Sequence, residues 1–83
     1  MAHTIRVHNY AGDWDSLAEL HIIGPYATAQ DRDRDLDRLA RIPDEGFFQV
    51  EASRVDPGSA DRSCVPSAVA AAASWQDVLD AFY

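Results

Sequence analysis

Residues 4 to 10, TIRVHNY, alternate apolar and polar positions. Ile5 and Val7 point one way, and Thr4, Arg6, His8 and Tyr10 point the other. A period of two with β-branched residues predicts a half-buried strand. Ala11-Gly12-Asp13 supplies turn chemistry. In the next run, from Leu17 to Gly24, Ala18, Leu20 and Ile22 share one face while Glu19, His21 and Ile23 share the other. Two strands joined by a short polar loop predict an antiparallel hairpin. Gly24-Pro25 is expected to end the second strand, because proline has no N–H for the ladder.

The period then changes to that of a helix. Thr28 reads as an N-cap, with Asp31 in the capping-box position. The helix is expected from Ala29 to Arg41, with Leu36, Leu39 and Ala40 as its buried stripe, Ala29 at its start, and Pro43 as its stop. Asp31–Arg34, Asp35–Arg38 and Asp37–Arg41 are spaced three or four apart with the acid first, so the run DRDRDLDR is a solvated face.

Gly46 opens a third strand from Phe47 to Val55. Phe48, Val50 and Ala52 face one side; Phe47, Gln49, Glu51 and Ser53 face the other. Asp56-Pro57-Gly58-Ser59 is a turn, and residues 57 to 66 are expected to be loop. From Ser67 the chain reads as helix, with Ala68, Ala72, Trp75, Leu79 and Phe82 on one stripe. Ser74 with Asp77 forms a second capping-box pattern, which marks a restart or kink.

The element order is therefore β-β-α-β-α, an α+β fold forming a single domain over residues 1–83. The expected sheet has three strands, mainly antiparallel, in the order 2-1-3, with two helices on one face. The alternative sets the third strand beside the second, in parallel. Ile5, Val7, Ala18, Leu20, Ile22, Phe48, Val50 and Ala52 would form the face under the helices. The opposite face would carry Arg6, His8, Tyr10, Glu19, His21, Gln49 and Glu51, with Ile23 and Phe47 toward the rim. It is too polar for core, so it is expected to meet solvent or a partner.

Composition narrows the chemistry. A chain of 83 residues buries only about 60% of its unfolded surface, which leaves no room for a core plus a deep substrate cavity. The formal charge is −7, with 14 acidic residues against 7 basic ones, all of them arginine. Lysine-based covalent catalysis is excluded, and direct nucleic-acid binding is disfavoured for want of a basic stripe. One cysteine, Cys64 in RSCVPS, cannot form an internal disulfide and reads as a small, partly buried thiol. No apolar run reaches the ~20 residues of a membrane span, and the first residues lack a signal-peptide pattern, so no membrane association and a cytoplasmic location are expected.

The candidate binding residues are Arg6, His8, Glu19, His21, Phe47 and Glu51 on the polar face, and Trp14, flanked by Asp13 and Asp15 in the hairpin loop. An alternative brings His8, His21 and Glu19 together as metal ligands, since neighbouring strands lie ~4.8 Å apart. Nothing resembles HExxH or CxxC, and no catalytic residue or cofactor is expected.

The stretch HIIGPYATAQDRDRDLDRLARI runs from an apolar strand through Gly-Pro-Tyr and a Thr cap into an acid- and arginine-rich helix. It resembles a strand–GPY–Thr–helix arrangement in short uncharacterised proteins of actinobacteria and their phages. It is also similar to one half of a SPOR domain, a peptidoglycan-binding module. Gly24, Pro25, Tyr26, Thr28, Leu36 and Leu39 carry the likeness. A SPOR domain has two such halves, and this sequence shows one, so no glycan-binding residue is carried over. The resemblance implies the strand-to-helix junction and an actinobacterial or phage source.

Together these features predict a small acidic protein-binding or regulatory protein, phage- or mobile-element-encoded, whose partner is a protein with a basic patch. The alternatives are a DNA-mimic inhibitor of a nucleic-acid-binding protein, and a small metal-binding or enzymatic domain using His8 and His21.

Overall fold

Alternation in the first strand survives from Ile5 to His8 in the folded chain, although Thr4 on the polar side is also fully buried. Ile5 and Val7 are fully buried, while Arg6 and His8 keep partial exposure on the other side of β1 (His3–Asn9). The computed structural model describes residues 2–9, 19–44 and 46–83, with the side chain of Glu19 outside that description. Tyr10 and Trp14 fall outside the described residues.

Beyond β1 the elements are β2 (Glu19–Tyr26), α1 (Ala29–Ala40), β3 (Phe48–Ser53), β4 (Arg62–Cys64) and α2 (Trp75–Phe82). The fold is α+β. Its sheet has the order β3-β1-β2-β4, with β1 antiparallel to both neighbours and β4 parallel to β2. The three-stranded sheet expected from the sequence is thus corrected to a mixed sheet of four strands. β4 comes from residues read as loop, because three polar-flanked residues carry no alternation long enough to register. Asp61 starts this pairing: its N–H donates to Leu20 O at 3.0 Å, and its Oδ2 accepts from Leu20 N–H at 2.9 Å.

The second correction concerns the parity of β2. Ile23 pairs with Ile5 and His21 with Val7, so His21 and Ile23 lie on the helix side. Leu20 and Ile22 pair with His8 and Arg6 and lie on the opposite side. The expected assignment had these the other way round. The run Leu-His-Ile-Ile is apolar at both parities, so alternation does not choose between them. Gly24 makes the choice. A Cβ built there would stand 2.7 Å from Thr4 Cγ2 and 3.3 Å from the His3 carbonyl, and its φ of +154° disfavours side chains. Shifting β2 by one residue would force a side chain into that space. β2 also continues through Pro25 to Tyr26, beyond its expected end. The β1–β2 register shifts between His3 and Ile5, and Gly24-Pro25 is a cis peptide. Proline is tolerated there because the ladder is already irregular.

β3 and β4 run parallel at opposite edges of the sheet, so the chain between them must cross from one edge to the other and return to the end at which β3 began. Thr4, on the side away from the helices, donates its hydroxyl to the Val55 carbonyl at 3.1 Å. The 3₁₀ turn at Pro57–Ser59, capped by Asp56 Oδ1 on Gly58 N–H, packs against β2. This crossover therefore runs over the second face. Ile22 is fully buried yet belongs to that face and not to the helix-side cluster. The open polar face expected from the sequence is thus half covered by the protein's own chain. The connection through α1 moves the opposite way on the opposite face, which gives both crossovers one hand.

Both helices pack on the other side. Thr28 Oγ1 accepts Asp31 N–H at 3.1 Å and caps α1. Ser74 Oγ accepts Asp77 N–H at 3.2 Å and caps α2, and Asp77 Oδ2 reaches one residue past the cap to accept Ala73 N–H at 3.1 Å. Only the last turns of the alanine-rich stretch are α-helix; Pro66–Val69 forms a 3₁₀ turn instead. The core joins Ile5, Val7 and Ile23 to Leu39, Ile42, Val69, Trp75, Val78 and Phe82. Phe48 stacks on Trp75 with centroids 4.5 Å apart and planes within 4°.

Leu39 is fully buried, whereas Leu36 only flanks the core. Leu39→Ala should therefore cost about 2–5 kcal/mol in urea unfolding and Leu36→Ala clearly less. Equal losses would contradict this helix orientation. Gly24→Ala should destabilise by about 1–3 kcal/mol, since the new methyl overlaps Thr4. A neutral effect in the same melts would show that the hairpin yields freely there.

Candidate functional site

Register brings Arg6 opposite Glu51 and His8 opposite Gln49 on the second face. Arg6 Nη1 donates to Glu51 Oε1 at 3.2 Å, and His8 Nε2 lies 3.2 Å from the same oxygen. The three side chains are 33%, 27% and 54% exposed, so the cluster stands at the surface. The hydrogen bond with His8 is the main reason the Glu51 carboxyl titrates below the ordinary range. Partial desolvation opposes this, and the hydrogen bond and charge of Arg6 reinforce it. Gln49 is exposed beside the cluster, and Phe47, 38% exposed, sits one residue before β3.

Of the residues proposed from the sequence, Arg6, His8 and Glu51 are thus brought together. His21 is not. It is fully buried on the helix side, its ring 4.5 Å from Phe82 and 5.9 Å from Tyr83. His8 and His21 therefore lie on opposite faces and do not converge on one ion. Glu19 pairs through its backbone with Asn9, and its side chain lies outside the described residues, as does Trp14. Among the described residues, no group of three or more His, Cys, Asp or Glu is arranged to hold a metal.

A second feature extends the Asp35–Arg38 pair expected from the sequence into a partly buried network. Tyr26 Oη donates to Asp35 Oδ2 at 2.9 Å. Burial, then this bond to a carboxylate, pushes the phenol far above its usual range, so it remains a donor. Arg38 Nε lies 3.9 Å from Asp35 Oδ1, and its two terminal nitrogens donate to the carbonyls of Ala72 at 2.8 Å and Val69 at 2.5 Å. The partners of Arg38 are backbone groups more than 30 positions away, which side-chain spacing cannot reveal. Beside this network lies a cleft of about 380 Å³ between the β2–α1 junction and the Pro66–Val69 turn. Its charged groups are engaged with one another: Arg34 with Asp31 at 3.0 Å, and Tyr26 with Asp35. Cys64 is half-buried, and burial pushes its thiol up to about 11, so it is a protonated and weak nucleophile at neutral pH.

The surface cluster offers charge and hydrogen bonding on the second sheet face. Its ion pair has a definite pH signature. Glu51 has a lowered folded-state pKa, so its contribution to stability is complete above the unfolded value of ~4.3 and vanishes as pH falls through the folded value. Because the group is mostly exposed, Glu51→Gln should cost at most about 1 kcal/mol at pH 7 and progressively less as pH falls below the unfolded value of ~4.3. A gap between the two proteins that is unchanged across that range in urea melts would argue against the pairing. No family model, curated protein or solved structure matches this chain.

Proposed function

We propose that this domain is a small acidic protein-binding or regulatory module that recognises a partner protein through the charged part of its second sheet face and does not turn over a substrate. The observation that supports this reading is the Arg6–Glu51–His8 cluster. It is polar and ordered by two contacts to one carboxylate oxygen, and the exposed Phe47 lies on the same chain segment, one residue before β3. An apolar anchor beside partly exposed charges is the composition of a modest protein interface.

The partner is a protein with a basic patch. The chain carries −7, and complementary charge accelerates encounter. Mimicry of a nucleic acid would need an uncompensated acidic row. The stretch densest in aspartate, α1, does not offer one: Asp31, Asp33, Asp35 and Asp37 pair with Arg34, Arg32, Arg38 and Arg41 at 3.0, 3.0, 3.9 and 3.1 Å.

The test is affinity capture from the source cell by the wild-type chain and by a Phe47→Ser, Glu51→Lys double variant, each at low and high salt. The wild type should recover a partner that the variant loses at least about tenfold, with the larger difference at low salt. Unchanged circular dichroism would show that the variant is folded. Equal recovery under all four conditions would remove this surface from consideration.

A further inference from the structure

The two edges of the sheet are unequal. β4 is three residues long, and Tyr83 lies over it with its ring centroid 4.0 Å from the Arg62 guanidinium carbon. β3 is six residues long and ends the sheet on the other side, so among the described residues no strand pairs along its outer flank. An edge strand turns N–H and C=O groups outward along its length, which makes it a template for another strand.

The side chains of β3 state what that strand would need. On the helix side, Phe48 and Val50 are only half-buried and Ala52 is exposed, so an apolar neighbour would complete their burial. On the second face Gln49 and Glu51 are exposed. Arg6 and His8 both reach Glu51 through Oε1, which leaves Oε2 able to accept from a further donor. Cross-strand Cβ atoms stand ~4.5–5.5 Å apart, within reach of a lysine or arginine.

A second copy of this chain fits less well. Two antiparallel β3 strands centred on Glu51 would set like carboxylates opposite each other, and each copy brings a charge of −7. The geometry points to one occupant: an extended segment of the partner protein, alternating apolar and basic side chains, which adds to β3 as a fifth strand. This rests on the protein-binding reading above and names the mode and chemistry of its partner.

The full chain, isotopically labelled, would be titrated with three hexapeptides: one alternating lysine and valine, one with the same residues in two blocks, and one alternating glutamate and valine. The alternating basic peptide should shift the amides of residues 48 to 53 and slow their exchange. It should bind about three- to tenfold more tightly than either of the others at low salt. Glu51→Lys should reverse the preference between the basic and acidic alternating peptides. Equal binding of the alternating and block peptides, no binding, or shifts outside β3 would overturn the proposal. So would sedimentation as a dimer with protected β3 amides in the absence of peptide. If a captured partner depends on Glu51 while β3 amides in its complex exchange freely, strand addition is wrong and the protein-binding reading stands. If no partner is captured while the alternating peptide binds β3 selectively, the reading fails and the edge chemistry stands.

Discussion

Thr4 is the point on which the sheet turns. Its methyl group fills the space that a side chain at position 24 would occupy, and its hydroxyl holds the Val55 carbonyl. The first contact admits only glycine at that position of β2 and so fixes which residues of β2 face the helices. The second fixes where the chain leaves β3 and on which face it crosses to β4. Thr4 itself is fully buried, and its bond to Val55 removes the cost of burying a hydroxyl, about 1–3 kcal/mol when unpaired. A one-residue slip of β2 would save the burial of one imidazole. It would also drive a side chain into Thr4, and overpacking of that kind costs about as much as any alternative packing returns.

A second constraint ties the helices to this frame. The Gly-Pro-Tyr segment delivers Tyr26 from the end of β2 to Asp35 on α1, and Arg38, one turn on, holds the carbonyls of Val69 and Ala72. Val69 ends a 3₁₀ turn, and its carbonyl accepts Ala72 N–H at 3.2 Å with room on the oxygen for a second donor. Arg38 supplies it with a guanidinium fork, which suits two acceptors at once. Most arginines of α1 pair with aspartates on the helix surface and add only a few tenths of a kcal/mol each. Arg38 differs from them in destination, since it joins α1 to the segment that leads into α2.

What could be read from the sequence follows from how unambiguous each local pattern was. β1 and β3 alternate cleanly, so Ile5 and Val7 were placed in the core and Arg6, His8 and Glu51 on the other face. Thr28 and Ser74 each precede an acid at capping distance, and both caps form. β2 contains apolar residues at both parities, so its frame was misassigned, and with it His21 and Ile23. The glycine held the missing information: a residue that tolerates close approach had to face the β1 residue with no room to spare. β4 was illegible because its three residues gain their strand conformation from pairing with β2 and not from their own pattern. The site was half legible for the same reason, its β1 and β3 members visible and its β2 member lost.

The parity of β2 also decides where recognition can occur. With Leu20 and Ile22 on the second face, that face is apolar over β2, and the crossover buries Ile22 completely. With His21 turned inward against Phe82, no imidazole from β2 competes for Glu51. The second face is thereby divided. Its β2 side is partly covered by the protein's own chain, over Ile22, and the charged groups described on it belong to β1 and β3. A partner approaching the charged half meets Glu51 on the outermost strand, next to backbone groups that no strand of the described chain pairs. Surface charge and the open edge lie together because the same glycine that sets the hairpin frame sends the apolar residues of β2 under the crossover.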